Sequence, residues 1–119
     1  MMNIQIKYTN IEPSESVEKY INDKIGSLEK LFKGLITTDP NFPEPVPAWV
    51  EVGKPNLHHE KGNIWYAECQ IELPRKILRI ARESFNVFAA IDSVKDEMKQ
   101  LITDYKERVE DKRQKEISE

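Results

Sequence analysis

Ile64-Trp65-Tyr66-Ala67-Glu68-Cys69-Gln70-Ile71-Glu72-Leu73, followed at once by Pro74-Arg75-Lys76-Ile77-Leu78-Arg79-Ile80-Ala81-Arg82-Glu83, decides the fold of this chain. In the first half Ala67, Cys69, Ile71 and Leu73 share one parity, and Glu68, Gln70 and Glu72 share the other. A period of two is the signature of a strand with one dry and one wet face. Pro74-Arg75-Lys76 reads as a tight turn, so the second half returns as another strand over about 77–83. That returning strand is unusual in charge: residues 75–82 hold four positive side chains and no negative one.

Upstream, Ala48, Val50 and Val52 alternate with Trp49 and Glu51, a further strand. Gly53 to Asn63 is polar and turn-rich, and reads as the hairpin connection to residue 64. Short connections between three successive strands favour an antiparallel meander. Residues 37–47 carry four of the seven prolines, which neither a helix nor an inner strand tolerates. They are expected to form a loop, too short to divide two domains. Before them, Val17, Ile21, Ile25, Leu28 and Phe32 recur every three or four residues, predicting a helix over about 15–33. Ser14 caps its start, and Gly34 is read as its stop. Residues 2–8, with Ile4 and Ile6 on one parity, predict a half-buried first strand.

Downstream, Ile91, Val94, Met98, Ile102, Tyr105 and Val109 fall in one sector of a helix expected over about 86–112. Lys95, Lys99, Lys106 and Arg113 line one border of that sector, and Asp96, Asp104, Glu107 and Asp111 occupy the far side. Residues 113–119 are expected to be a charged, fraying tail. The expected fold is therefore α+β, in the order β-α-β-β-β-α. It is a two-layer sandwich with a four-stranded sheet and two helices on one face, and the other face is open.

At 119 residues this is a one-domain length, with residues 1–112 as the domain. Net charge is −3 with 33% charged residues, which argues against a nonspecific nucleic-acid coat and against DNA as partner. A single cysteine, Cys69, excludes an internal disulfide and a multi-cysteine metal site. It alternates with apolar residues and reads as a small core side chain, not a nucleophile. No membrane span and no signal segment are seen, and a cytoplasmic location is expected. No catalytic constellation, phosphate-cradling glycine loop or cofactor motif is found; the expectation is a protein that is not an enzyme and has no cofactor. His58-His59 begins a metal set but has no third ligand at fitting spacing, so no metal is expected.

The cation cluster has two readings. Arg75, Lys76, Arg79 and Arg82 suit phosphate, where a guanidinium binds two oxygens at once. Equally, charge on an edge strand prevents sheet pairing. Arg79 lies on the strand face opposite Leu78 and Ile80, whereas Arg82 shares their parity. Lys95, Lys99 and Lys106 form a line able to follow a phosphate backbone, or simply lay their stems over the apolar seam. Lys24 sits inside the apolar stripe of the first helix. Lys54, His58 and Lys61 place further positive or titratable groups in the connection after the second strand. Trp49, Trp65 and Tyr66 suit base stacking if they lie on the open face, or else serve as sheet aromatics.

Met2-Asn3-Ile4-Gln5-Ile6, Lys24-Ile25-Gly26-Ser27-Leu28-Glu29-Lys30, Phe88-Ala89-Ala90-Ile91-Asp92 and Tyr105-Lys106 occur in an order and spacing similar to one known family. Over about 1–110 the chain resembles the ribosome hibernation-promoting factors, also called ribosome-associated inhibitor or protein Y. The resemblance implies a fold like the double-stranded-RNA-binding domain. It implies a stress-response translation inhibitor that binds small-subunit rRNA in the decoding groove and occupies the tRNA and mRNA sites. It also implies a monomer away from the ribosome, and the chain resembles the short form. On this basis the rRNA-binding residues are expected to be Lys24, Lys54, His58, Lys61, Arg75, Lys76, Arg79, Arg82, Lys95, Lys99 and Lys106. One departure bears on this: Gln100, Leu101, Thr103, Asp104 and Glu97 stand where the family is often basic or polar. The thinner charge motivates an alternative, a diverged member that binds a protein partner.

Overall fold

The computed structural model describes residues 2–55 and 64–117. The chain runs β1 (Met2–Thr9), α1 (Glu15–Gly26), a 3-10 segment (Ser27–Phe32), α2 (Lys33–Thr38), β2 (Val46–Gly53), β3 (Trp65–Leu73), β4 (Lys76–Ser84) and α3 (Val87–Ile117). The four strands form one sheet in the order β1-β2-β3-β4. β2, β3 and β4 are the expected antiparallel meander, with Cys69 between Val50 and Ile80 in register. β1 pairs parallel to β2, Ile4 beside Ala48 and Ile6 beside Val50. A parallel pair needs a long crossover, and the helical segment 15–38 supplies it.

Strand parity places Ala48, Val50 and Val52 of β2 and Ala67, Cys69, Ile71 and Leu73 of β3 against the helices, all buried. Val17, Ile21 and Ile25 of α1 and Ile91, Val94, Met98 and Ile102 of α3 close over them. Each fully buried aliphatic side chain contributes roughly 1.5–3 kcal/mol relative to exposure, so this one interface carries the fold. Burial pushes the Cys69 thiol up to about 12, which leaves it protonated and inert, as its place in the alternation suggests.

The first helix is not one piece. Its apolar rhythm runs through Leu28 and Phe32 and continues past the expected end to Leu35, all buried. The backbone tightens into the 3-10 segment to keep these residues on the core and then resumes as α2. Gly34, expected to stop the helix, lies inside α2, and its carbonyl accepts from the Thr38 hydroxyl at 2.7 Å. Asp39, extended at φ −115° and directly before Pro40, is the actual stop, because a residue before proline is pushed out of the helical region. A Cβ at Gly34 meets nothing within 4 Å. Gly34→Ala is therefore expected to raise stability by about 0.5–1 kcal/mol. A chemical-denaturation midpoint that falls would refute the helical placement.

Ser14 caps α1 as expected, its hydroxyl accepting from the Val17 N–H at 3.4 Å. Asn86 caps α3, its side-chain oxygen accepting from the Phe88 N–H at 2.7 Å. Pro47 lies within β2, contrary to the reading of 37–47 as loop throughout. It pairs only with Asn3 of β1, since the β3 register begins at Ala48, so its missing donor takes no bond from that side. α3 continues to Ile117, beyond the expected 112. Its last dozen residues contain no glycine or proline to end it.

Candidate nucleic-acid interface

The two faces of the sheet differ in charge. The open face carries Lys7, Glu51, Glu68, Glu72, Arg79 and Glu83 by strand parity, two cations against four carboxylates. Arg79 is largely neutralised there, its Nε donating to Glu68 Oε1 at 2.7 Å, which also raises the guanidinium pKa. Glu51 accepts from the Tyr66 hydroxyl and from the Thr9 hydroxyl, the latter at 2.9 Å. These two hydrogen bonds, Tyr66 first, hold its carboxyl below the usual carboxylate range.

A depressed carboxylate stabilises the fold above its unfolded pKa, and the contribution is lost as pH falls through the lower folded value. Tyr66→Phe is thus expected to cost stability at neutral pH. The gap from the parent should close as acid protonates Glu51. Urea titrations across the acid limb check this, and a gap that stays constant there contradicts it.

The helix side holds most of the other candidates, on two borders of α3. With about 3.6 residues per turn, Lys95, Lys99 and Lys106 lie on the border facing α1. That border is fixed by Asp92, which accepts from the Tyr20 hydroxyl at 2.7 Å and lies 3.8 Å from Lys24 Nζ. The Tyr20 and Phe88 rings meet edge-to-face at 4.9 Å, and Lys24 Nζ stands 5.4 Å from the Tyr20 centroid. Lys24 thus has a positional role at the α1–α3 contact, which accounts for a lysine inside an apolar stripe. Lys95 Nζ is 3.9 Å from Asp96. Among the described residues no carboxylate ion-pairs with Lys99 or Lys106.

The opposite border of α3 faces β4. Arg82 reaches it, its Nε 2.5 Å from Glu97 Oε2. Farther along, the Tyr105 hydroxyl donates to the Pro74 carbonyl at 3.2 Å, and the hairpin tip with Arg75 and Lys76 lies beside Arg108 and Lys112. Arg108 and Lys112 were not read as site residues from the sequence. Their spacing of four on one side of Tyr105 was the available signal. Phe85, 84% exposed at the corner between β4 and α3, was also passed over.

The candidates are therefore not one cluster. Arg79 is alone on the open face, Arg82 and Lys24 are engaged with carboxylates on the helix side, and Arg75 with Lys76 marks the hairpin tip. Lys54 follows β2 at the far end, with Nζ 4.5 Å from the Trp65 ring centroid. His58 and Lys61 lie outside the described residues, as does His59. Of the three aromatics, Trp49 and Tyr66 are on the open face and Trp65 is on the helix-side parity. Among the described residues no group of three His, Cys, Asp or Glu side chains is placed to hold a metal, and no helix is long and apolar enough to cross a membrane.

The amino-acid sequence matches a known protein family over residues 4–110, the sigma 54 modulation protein / S30EA ribosomal protein family. The chain belongs to this family. Among its relatives is a ribosome hibernation promotion factor of Lactococcus lactis subsp. cremoris (strain MG1363), 29% identical over 111 residues, which cover 92% of this chain and 52% of that protein. The chain thus spans about half the length of that relative. Its fold is similar to the protein Y N-terminal domain of Thermus thermophilus, with TM-score 0.65 at 19% identity, covering 87% of this chain and 97% of that one. It is also similar to a ribosomal subunit interface protein of Coxiella burnetii, with TM-score 0.62 at 13% identity, covering 88% and 98% respectively. The resemblance read from the short motifs is borne out in family and in fold.

Proposed function

We propose that this chain is a cytoplasmic, non-catalytic ribosome-associated inhibitor of translation that docks on small-subunit rRNA and blocks the tRNA and mRNA sites by occupancy. Family membership supports the partner. The observation that carries the docking mode is where the unpaired cations stand: among the described residues no carboxylate ion-pairs with Lys99 and Lys106 on the α1-facing border of α3 or with Arg75 and Lys76 at the hairpin tip, whereas the open sheet face is net acidic and holds Arg79 against Glu68. Phosphate contacts of this kind displace condensed counterions. The helix-and-hairpin side is the docking side, and Phe85 at its corner supplies a ring for an unstacked base. Arg79 faces the wrong way to share that contact.

Co-sedimentation with purified small subunits, run alongside a translation assay, tests the reading. Log affinity is expected to fall linearly with log salt, by roughly 0.7 to 0.9 per phosphate neutralised, and translation should recover in parallel. Binding that ignores salt removes the electrostatic mechanism. A second reading, a protein partner on the open face, draws on the 38% exposed Trp49 and the 58% exposed Ile77 there. It predicts a partner retained after nuclease treatment and lost in Trp49→Ser.

A further inference from the structure

α3 is about 46 Å long at ~1.5 Å per residue, against roughly 30 Å for the nine-residue β4 beneath it. It therefore overhangs the hairpin tip. Where it leaves the sheet, tip and helix border an open groove of about 670 Å³, a volume within the range of small-ligand sites. Arg75 and Lys76 border it from the hairpin, Arg108 and Lys112 from the helix, and Asp39 is the single carboxylate among the described residues of the lining. Four cations thus face one groove in a chain whose net charge is −3. Between them the floor is half-buried Tyr105 and Val109, with Tyr105 held by its hydrogen bond to Pro74.

Arg75 supplies an independent observation. It stands at φ 64° at the third position of the Leu73–Lys76 turn, after Pro74. Proline second and positive φ third is the type II pattern, in which glycine is the default. A bulky cation held in the left-handed region is the kind of strain found where a side chain is needed for contact.

We propose that this groove binds a nucleoside polyphosphate, with its phosphates on Arg75, Lys76, Arg108 and Lys112 and its base against Tyr105 and Val109. A bare inorganic anion leaves the aromatic floor unused, and an apolar ligand leaves four cations unmatched. A nucleotide satisfies both, because guanidinium forks fit phosphate oxygens and every base has a face to lay on a ring. The inference concerns the chain by itself and does not rest on the ribosome as partner.

Calorimetric titration of the full chain with ATP and with GTP tests it, with adenosine, inorganic tripolyphosphate and a short oligoribonucleotide as comparison ligands. Expected is saturable one-to-one nucleotide binding, no adenosine binding, and a loss of about tenfold or more in affinity in the double variant Arg108→Glu, Lys112→Glu. Arg75→Gly guards against misfolding: glycine suits the turn, so affinity should drop several-fold while thermal stability holds. No saturation at millimolar nucleotide overturns the proposal, as does unchanged affinity in both variants. Tripolyphosphate binding as tightly as ATP overturns it in favour of a simple anion sink. Tighter binding of the oligoribonucleotide through Arg108 and Lys112 overturns it in favour of RNA.

Discussion

Reversing Arg75, Lys76, Lys99 and Lys106 together to glutamate is expected to weaken small-subunit binding by at least ~100-fold at moderate salt. These four are chosen because no described carboxylate ion-pairs with them. A cation already engaged by a neighbour offers less to a phosphate, and removing it also strands the neighbour's charge. All four are at least partly exposed, so circular dichroism and the unfolding midpoint should remain close to the parent. Surface charges away from caps and networks seldom matter by more than about half a kcal/mol each. Arg79→Glu is the internal control. It changes the same kind of charge on the same strand but on the open face, beside Glu68, and it should leave co-sedimentation near the parent value. Equal losses in the quadruple variant and the control would show that net charge, not the docking side, governs binding.

The second large effect concerns the fold. Gly53 ends β2, paired with Thr9 of β1 on one side and Tyr66 of β3 on the other. A Cβ built there lies 2.0 Å from the Thr9 carbonyl oxygen and 2.9 Å from its carbon, both backbone atoms. A flexible side chain would swing aside, but the backbone of a paired strand moves only by breaking its ladder. The same Thr9 oxygen accepts from the Lys54 N–H at 3.1 Å, so displacement also loses that bond. Gly53→Ala is expected to destabilise by about 3 kcal/mol, at the upper end for overpacking. That is a large fraction of the 5–15 kcal/mol typical of a domain. A denaturant midpoint within error of the parent would mean that the β1–β2 junction is not packed as described.

Most of the architecture was legible because burial writes a period into the chain. The alternation over 64–73, the three-and-four rhythm over 17–32 and the sector from Ile91 to Ile102 each named their buried face in advance, and each is buried. Misreadings arose where a local preference met a tertiary demand. Gly34 signals a helix end, but Leu35 had to reach the core, so the helix went on. Pro47 signals a loop, yet β2 has only one neighbour at that point and accommodates it. The parallel pairing of β1 with β2 left no local mark, since partner and direction are set by the crossover.

The candidate site was legible as residue type and not as arrangement. Counting found the cations, and parity separated Arg79 from Arg82. Nothing in spacing alone indicated that Arg82 meets Glu97, that Lys24 meets Asp92, or that Arg108 and Lys112 stand beside Arg75 and Lys76. Those neighbours are distant in sequence and are joined only when α3 lies back along β4.

The linear chain by itself determined which residues are dry, which elements they form and that its positive charge is locally concentrated, because periodicity and composition are properties of consecutive residues. Which cations are left free of a carboxylate and where α3 overhangs the hairpin to form a groove were decided only by the tertiary structure. Electrostatic pairing and cavities depend on distances between segments, and packing of the helices on the sheet is what sets them.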